Sequence, residues 1–434
     1  PELQARTLIE RMSDTSRRSV YLRRSLTPEE RETVLNLGLS GIGFQAEDRR
    51  TYPHGTLAAH AIGYANVDLT PFGGVENGLD SMIREAGAAG RPVRLSLDVR
   101  VQFALEEELA AAARAAGAPA AAAIILDGRT GEVYAMATWP SFDPNRFSAF
   151  SQTQRNDLVA GAVRELGSTI KPFTVAMALE TGASTARELF DVSEALTIEG
   201  TRIADHEQIL GPVTLREILA RSSNIGVSRL ALRIGAENQR AYLDRLGLIE
   251  PAKLQVAFNE QPIAPELSGR RDIAGLGFGY GLAASPAALA GAYTVFVNDG
   301  TRVSPTILAR ESDSETPIET VPVFSPETAR TVLGYLRSAV TNGTGRAAEV
   351  AGLAVAGKTG TAEIWDRTQG YDPSRNFSSF AGVFPAHQPR YVIVLALDGV
   401  GQGGAGGQVA APAVSRTLRR VAPMLGLRVD RPAR

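Results

Sequence analysis

Two of the three lysines in this sequence stand beside hydroxyl residues at spacings that could support chemistry. The chain has 45 lysines and arginines together, but only Lys171, Lys253 and Lys358 are lysines. Arginine keeps its proton at any ordinary pH, whereas a lysine amine can lose its proton and accept another from a nucleophile. Lys171 ends the motif Ser168-Thr169-Ile170-Lys171, and Lys358 opens the motif Lys358-Thr359-Gly360-Thr361. Lysine is therefore kept where a proton could move, while Lys253 is interpreted as a surface residue.

The first motif is typical of a helix that begins at its nucleophile. Gly167 interrupts the preceding segment, Ser168 is a good helix-starting residue, and Pro172 fits only in or near a first turn. A spacing of three then places the lysine amine on the same face as the serine hydroxyl. A desolvated Lys171 could act as a base, and free N–H groups at the helix start could stabilise an oxyanion. Alone, however, Ser-x-x-Lys more often means a capping serine and a solvated lysine.

The second motif follows an apolar run and is predicted to lie on a strand or at its edge. Gly357 and Gly360 would leave space for another backbone, as when an extended peptide adds to a sheet edge. Lys358 would supply positive charge, and the hydroxyls of Thr359 and Thr361 could hold a substrate carboxylate. The structural alternative is a glycine-containing turn between two strands.

A third element, Ser222-Ser223-Asn224, is predicted to form a short turn between two helical patterns. Its first hydroxyl could relay a proton, and its amide could bind substrate. A second Ser-x-Asn, Ser374-Arg375-Asn376, is discounted because it is predicted to lie in a polar loop. The order serine–lysine, serine–asparagine, lysine–threonine–glycine is that of penicillin-binding proteins and serine β-lactamases. Each of the three motifs is a weak indication of an active site by itself, but their shared order along the chain is a strong one.

On these motifs the sequence resembles a class B penicillin-binding protein, and it is most similar to the cell-division transpeptidase of septal peptidoglycan synthesis. The likeness covers about residues 49–415, and one departure is Leu166, where the family often has proline. Further motifs shared with the family are Gly74-Val75-Glu76, Gly131-Glu132-Val133, Phe278-Gly279-Tyr280-Gly281, Gly343-Thr344-Gly345 and Gly406-Gly407-Gln408.

The resemblance implies a serine D,D-transpeptidase. Ser168 would attack the penultimate D-Ala of a D-Ala-D-Ala stem peptide, and an amine of a neighbouring stem would resolve the acyl-enzyme. Lys171 would take the proton from Ser168. Ser222 would pass it toward the leaving amine with help from Lys358, and Asn224 would hold the substrate amide.

The resemblance also implies the substrate-binding residues. The backbone N–H groups of Ser168 and Thr361 would form the oxyanion hole. Thr359, Gly360 and Thr361 would bind the substrate, and the two threonines would hold its carboxylate or that of a β-lactam antibiotic.

Two alternatives to a transpeptidase stay open on the sequence. The first is a β-lactamase or β-lactam sensor of the same fold, although no convincing Glu-x-x-Leu-Asn follows Asn224 and the one match, Glu32-Thr33-Val34-Leu35-Asn36, lies near the start. The second is a division scaffold with a vestigial site, which is weakened because every polar group of the proposed site is present.

The hydrophobic patterning predicts an α+β fold. Hairpin-like strand pairs lie near residues 121–137 and 377–397, a helix is predicted over residues 99–116, and helical patterns fill much of the middle. This arrangement indicates the penicillin-binding fold, an antiparallel sheet with helices on both faces and a helical insert. A linker-like composition near residue 90 predicts an N-terminal non-catalytic module over residues 1–90 and a transpeptidase domain over residues 91–434.

Composition excludes several classes of function. The net charge of −2 provides no positive electrostatic field that would attract nucleic acid. The chain has no cysteine and only four scattered histidines, so neither a metal site nor a cofactor is expected. No apolar run is long enough to cross a membrane. The resemblance implies the periplasmic face of the inner membrane, an anchor in an N-terminal segment absent from this chain, and division-complex membrane proteins, including a glycosyltransferase, as partners.

Overall fold

The computed structural model of the protein describes residues 5–310, 317–366 and 370–429. The α-helices of this part are α1 (Ala5–Met12), α2 (Pro28–Asn36), α3 (Ala59–Ile62), α4 (Gly74–Gly78), α5 (Asp80–Ala88), α6 (Val99–Ala116), α7 (Gln152–Arg155), α8 (Lys171–Glu180), α9 (Leu215–Arg221), α10 (Asn224–Arg245), α11 (Arg270–Leu276), α12 (Pro286–Tyr293), α13 (Pro326–Asn342) and α14 (Ala410–Met424). The strands are β1 (Tyr64–Ala65), β2 (Pro71–Phe72), β3 (Ala120–Asp127), β4 (Val133–Trp139), β5 (Arg164–Glu165), β6 (Phe190–Asp191), β7 (Leu196–Ile198), β8 (Thr201–Ile203), β9 (Pro212–Val213), β10 (Ala283–Ala284), β11 (Thr301–Val303), β12 (Thr320–Pro322), β13 (Ala356–Asp366), β14 (Gly370–Phe384) and β15 (Tyr391–Gly401).

One five-stranded antiparallel sheet organises the molecule, with strand order β13-β14-β15-β3-β4. Strands from the two ends of the sequence meet at its centre, where Leu395 of β15 pairs with Ala123 of β3. Ala123 in turn pairs with Ala137 of β4 across the hairpin. The predicted α+β fold is confirmed, and β13 forms one edge of the sheet.

The two faces of the sheet bury separate hydrophobic clusters. Successive residues of β3 alternate between them: Ile124 packs in the larger cluster, and Ile125 in the smaller one. This alternation is the two-residue period of an extended strand. Helices α8 and α12 contribute to the larger cluster and helices α6 and α14 to the smaller one. Both faces of the sheet are therefore covered by helices, as predicted.

Helix α6 has the predicted bounds because both of its ends carry strong signals. The Asp98 carboxylate caps the first turn by accepting hydrogen bonds from the backbone N–H groups of Arg100 and Val101. At the other end Gly117 has a left-handed backbone, φ = +62°, which glycine adopts without steric cost.

Residues 5–50 pack much less than the rest of the described chain. Helices α1 and α2 have no buried residues, although Thr27 and Glu30 form a capping box at the start of α2. Large apolar side chains such as Ile9 and Leu37 are exposed. The division of the chain near residue 90 stays a prediction. Within the described residues, no helix combines the length and apolarity needed to cross a membrane.

Candidate active site

Ser168 lies in a tight turn between strand β5 and helix α8. The predicted helix start is here, but its first turn, Gly167–Ile170, is a 3-10 turn that leads into the α-helix at Lys171. Gly167 has a left-handed backbone, φ = +51°, and a Cβ atom there would lie 3.1 Å from the Thr361 carbonyl oxygen. Glycine is thus needed both for the turn and for the close approach of β13.

Two hydrogen bonds fix the backbone of this turn from inside the protein. The Thr169 hydroxyl donates to the Leu166 carbonyl at 2.6 Å, and the buried Tyr293 hydroxyl donates to the Thr169 carbonyl at 2.9 Å. Ser168 itself is only partly buried. The partly exposed side chain of Ser168, the candidate nucleophile, is therefore held by a backbone that the protein fixes from inside.

Ser222 joins helices α9 and α10 and has an unusual backbone. Its φ of +61° is left-handed, which costs a residue with a Cβ atom about 1–2 kcal/mol. Ser223 then caps α10, because its hydroxyl accepts a hydrogen bond from the Gly226 N–H group at 2.9 Å. The predicted turn between two helices is confirmed, and the strained residue is the one that faces Ser168.

The Asp205 carboxylate holds this turn in place. It accepts hydrogen bonds from the Ser223 hydroxyl at 2.7 Å and from the backbone N–H groups of Asn224 and Ile225 at 2.5 and 3.0 Å. A carboxylate is well suited to this position, because the first N–H groups of a helix lack partners within the helix.

The Lys171 amine lies at the centre of these contacts. It donates to the Ser222 carbonyl at 2.6 Å, the Ser222 hydroxyl at 3.1 Å and the Asn224 side-chain oxygen at 2.6 Å. The other end of the Asn224 amide donates to the Ala204 carbonyl at 3.0 Å. Asn224 is thus oriented by the protein, with its oxygen toward the lysine.

Ser222 bridges the lysine and the nucleophile. Its hydroxyl donates to the Ser168 oxygen at 3.0 Å, while Lys171 contacts Ser222 rather than Ser168 among the hydrogen bonds of the described residues. The sequence predicted a direct exchange between Lys171 and Ser168. The structure instead places the Ser222 oxygen within hydrogen-bonding distance of both groups.

Strand β13 brings Lys358 to the same cleft, as the predicted strand-edge position requires. Its amine donates to the Thr359 carbonyl at 3.1 Å and to the hydroxyls of Thr359 and Thr344 at 3.4 Å each. The Thr361 oxygen accepts a hydrogen bond from the Gly406 N–H group at 3.0 Å, so its own hydroxyl hydrogen can point elsewhere.

The expected space beside the glycines of this motif is filled by the protein itself. A Cβ atom at Gly357 would lie 2.4 Å from the Phe380 ring, and one at Gly360 would lie 2.4 Å from the Ser379 hydroxyl. A Cβ atom at Gly360 would also contact the Thr169 side chain, in the turn that carries Ser168. The two glycines allow β13 to pack tightly against its own neighbours. The addition of a peptide at the outer edge of β13 stays a prediction.

Both active-site lysines lie wholly inside the protein. Burial holds the pKa of Lys171 well below its ordinary value; the positive charge of Lys358 lowers it further, and the negative charge of Asp205 opposes both effects. Burial lowers the pKa of Lys358 to about 7. Desolvation disfavours a charged amine, so burial favours the neutral form of both lysines.

The other sequence expectations fall outside this cluster. Ser374-Arg375-Asn376 was predicted to lie in a loop but forms part of strand β14, and the Ser374 hydroxyl bonds to Asp372. Glu32, from the one match to a β-lactamase motif, is exposed on helix α2. The predicted surface position of Lys253 is confirmed, because its side chain is 71 % exposed and pairs with Glu250.

Comparison with known proteins identifies the family of the chain. Residues 121–419 match the penicillin-binding protein transpeptidase domain family. The chain belongs to this family. It is 38 % identical over 419 residues to a probable peptidoglycan D,D-transpeptidase FtsI of Caulobacter vibrioides, covering 93 % of this chain and 71 % of that protein. It is 30 % identical to the peptidoglycan D,D-transpeptidase FtsI of Escherichia coli, covering 95 % of this chain and 74 % of that one.

Solved structures of the transpeptidase family have the same architecture. Penicillin-binding protein 3 of Mycobacterium tuberculosis in complex with aztreonam superposes with a TM-score of 0.79 at 28 % identity, covering 89 % of this chain and 92 % of that one.

The departure from the family at Leu166 has a local explanation. The Leu166 N–H group donates to the Leu282 carbonyl at 3.0 Å, a hydrogen bond that proline could not make. This hydrogen bond joins the turn that carries Ser168 to the neighbouring loop that contains Tyr280.

Two residues that support the site were not identified from the sequence. Asp205 was seen only as part of an Asp205-His206 pair typical of a loop contact, and Thr344 only as part of a shared motif. Their contacts join segments distant in the sequence. In the sequence, each of these two residues is only a polar side chain in a loop that contains glycine or proline. Such loops are common in proteins, so they do not mark a functional site.

Proposed function

We propose that this chain cross-links peptidoglycan stem peptides in septal cell-wall synthesis, as a serine D,D-transpeptidase of the FtsI type with its acyl-enzyme on Ser168. The observation that carries the assignment of the nucleophile is the contact series from Lys171 through Ser222 to Ser168, with distances of 3.1 and 3.0 Å. The series ends at Ser168, which lies in the 3-10 turn that leads into helix α8.

The proton of Ser168 leaves through Ser222. With Lys171 neutral, the hydroxyl hydrogens rotate so that Ser168 donates to Ser222 and Ser222 donates to the lysine amine. As the Ser168 oxygen attacks the carbonyl carbon of the penultimate D-Ala, its proton passes to Ser222, and the Ser222 proton passes to Lys171. When the C–N bond breaks, Ser222 gives a proton to the leaving amine of the terminal D-Ala and takes one back from Lys171, which is then neutral again.

The second half of the reaction reverses these transfers. An amine of a neighbouring stem attacks the acyl carbon, gives up a proton along the same path, and forms the new peptide bond as the Ser168 oxygen leaves with a proton. Asn224, oriented by Asp205 and Lys171, holds the substrate amide beside the nucleophile.

Backbone and hydroxyl donors stabilise the charges of the substrate. The N–H group of Ser168 lies at the start of a helical turn, where it has no partner within the turn, and with that of Thr361 it forms the oxyanion hole. The hydroxyls of Thr359 and Thr361 bind the terminal carboxylate, and Lys358 provides positive charge beneath them. β-Lactams, which resemble D-Ala-D-Ala, acylate Ser168 by the same route.

The place of action and the partners belong to the same proposal. Peptidoglycan is cross-linked outside the cytoplasmic membrane, so the transpeptidase works at the periplasmic face of the inner membrane, with an anchor outside these residues. The exposed apolar side chains of α1 and of the segment after α2 suit contacts with membrane proteins of the division complex, including a glycosyltransferase.

The test of the nucleophile is direct labelling. The protein is incubated with a fluorescent penicillin, and the modified peptide is mapped by mass spectrometry, with Ser168→Ala as control. A long-lived adduct on Ser168 that is absent from the variant is expected. An adduct elsewhere, or none, would falsify the assignment, and rapid release of hydrolysed penicillin would indicate a β-lactamase.

A further inference from the structure

Thr344 occupies a fixed position between the two halves of the active site. It follows helix α13, and its N–H group donates to the Ala220 carbonyl at 3.1 Å, in the last turn of α9 just before Ser222. A Cβ atom at Gly343 would lie 2.2 Å from the same carbonyl, so the preceding residue must be glycine for the two segments to approach this closely.

The Thr344 side chain contacts the substrate-binding strand. Its hydroxyl oxygen lies 2.9 Å from the Thr359 hydroxyl oxygen and accepts a hydrogen bond from the Lys358 amine at 3.4 Å. Thr359 is buried, whereas Thr344 is exposed to the cleft. The Lys358 amine and the hydroxyls of Thr359 and Thr344 thus form one small hydrogen-bond network. Strand β13 supplies the first two groups, and the residue after the end of α13 supplies the third.

The number of donors in this network limits how its hydrogens can be arranged. A protonated lysine can only donate, so both threonine oxygens are acceptors toward Lys358. One hydroxyl hydrogen must then form the bond between the two threonines. The other hydroxyl hydrogen is left over, and the lysine keeps it pointing away from itself, toward the cleft.

We propose that Thr344 is a positioning residue for the carboxylate of the substrate. It accepts from Lys358 and donates to Thr359, which leaves the Thr359 hydroxyl hydrogen for the carboxylate. The order of donors, from Lys358 to Thr344 to Thr359 to ligand, polarises each hydroxyl in the same direction and strengthens the final bond. This inference rests on the proposed function, because it assumes that Thr359 meets a carboxylate next to the scissile bond.

The consequence is selective: Thr344 matters for ligands that carry the carboxylate and not for ligands that lack it. Thr344→Val removes the hydroxyl but keeps the branched shape, and it leaves Thr359 with its hydrogen drawn to other acceptors. Thr344→Ser keeps the hydroxyl. Thr341→Val is the matched control, because Thr341 is an exposed residue of α13 whose hydroxyl bonds only within its own helix among the described residues.

The experiment measures the second-order rate constant for acylation of Ser168 by benzylpenicillin and by its methyl ester, which has the same ring but no free carboxylate. For Thr344→Val we expect a loss of about 10- to 50-fold with benzylpenicillin, the range for a lost hydrogen bond to a charged group, and less than about threefold with the ester. Thr344→Ser should recover most of the lost rate, and Thr341→Val should behave as the unmodified protein.

The outcomes separate this inference from the proposed function. An equal loss with both ligands would show that Thr344 only maintains the structure, and no loss with either would show that it has no role; each overturns the inference alone. Acylation of the ester by Thr344→Val also reports that the variant is folded. No adduct on Ser168 of the unmodified protein would overturn the proposed function, and the inference with it.

Discussion

Lys171 and Lys358 both belong to the candidate active site, but their surroundings differ in the hydroxyl groups that each amine contacts. Both are fully buried, and the hydrogen bonds described for both go to uncharged oxygens. Lys253, by contrast, is exposed and paired with Glu250. Burial without a carboxylate in contact is what makes an amine able to give up its proton near neutral pH.

The difference lies in the hydroxyls that each amine contacts. Lys171 contacts Ser222, which continues to the nucleophile, so a change in its protonation moves a proton to or from the reacting centre. Lys358 contacts Thr359 and Thr344, so its charge is felt where a carboxylate would bind. We therefore propose that the first lysine acts by losing its proton and the second by keeping it.

Exchange of each lysine for arginine gives the largest contrast between the two. Arginine cannot accept a proton, so Lys171→Arg should lower the rate of acylation by penicillin about a thousandfold, within the range for loss of a general base. Lys358→Arg keeps the charge but must fit a larger group, so we expect a loss of roughly tenfold. The measurement is stopped-flow acylation with intact-mass detection. Similar losses in both variants would contradict the division of roles.

The pH dependence of acylation should show both lysines at once. The rate constant rises as pH passes the depressed pKa of Lys171, because only the neutral amine is a base. It falls above the pKa of Lys358, about 7, because the charge that attracts the carboxylate is lost. The expected profile with benzylpenicillin is a bell that changes about tenfold per pH unit on its flanks.

The methyl ester of penicillin sharpens this comparison. Without a carboxylate the falling limb should vanish, while the rising limb stays. A falling limb of the same size with both ligands would mean that the group titrating near pH 7 is not Lys358 acting on the carboxylate.

Local signals explain which parts of this molecule the sequence could predict. Gly167, Ser168 and Pro172 mark the start of a helix whatever surrounds them, and Asp98 and Gly117 mark both ends of α6. The strands were predictable because short continuous apolar runs bounded by turn residues fit a sheet that is buried on both faces. The chemistry of the lysines was predictable because arginine takes nearly every other basic position.

Contacts between distant segments explain what the sequence could not show. The bridging position of Ser222 depends on its left-handed backbone. A serine in the sequence does not predict that backbone conformation. Gly360 looked like an open place for a ligand, but packing against Thr169 and Ser379 fills it. Asp205 reaches the Ser223 turn only because the intervening strand and helix fold back.

The pH dependence of protein stability tests the pKa of the buried Lys358, with a smaller expected effect. Its pKa is about 7 in the folded protein and about 10.4 when unfolded, so between these values the unfolded state binds more protons. Lys358 should then make stability rise with pH from about 7 toward about 10, by up to about 1.4 kcal/mol per unit, and the slope should fall by that amount in Lys358→Met, which keeps the contribution of the buried Lys171. Urea unfolding at several pH values measures it. Lys253→Met is the control, and it should keep the slope of the unmodified protein. An unchanged slope in Lys358→Met would show that the Lys358 amine stays charged in the folded protein.

Asp205 distinguishes the surroundings of Lys171 from those of Lys358, and its removal should have the smallest effect on rate. Asp205→Asn loses a charge that raises the pKa of Lys171, so the rising limb of the pH profile should move to lower pH while the falling limb stays. At the optimum we expect a loss below about tenfold, and stability should fall by about 1–3 kcal/mol because the N–H groups of the Ser223 turn lose acceptors.

Glu207→Gln makes the same change of charge on an exposed residue two positions away, and it should move neither limb. A shift of both limbs in Asp205→Asn would mean that the two lysines titrate as one coupled unit. A shift of the rising limb alone would show that the carboxylate acts on the base and leaves the carboxylate-binding side untouched.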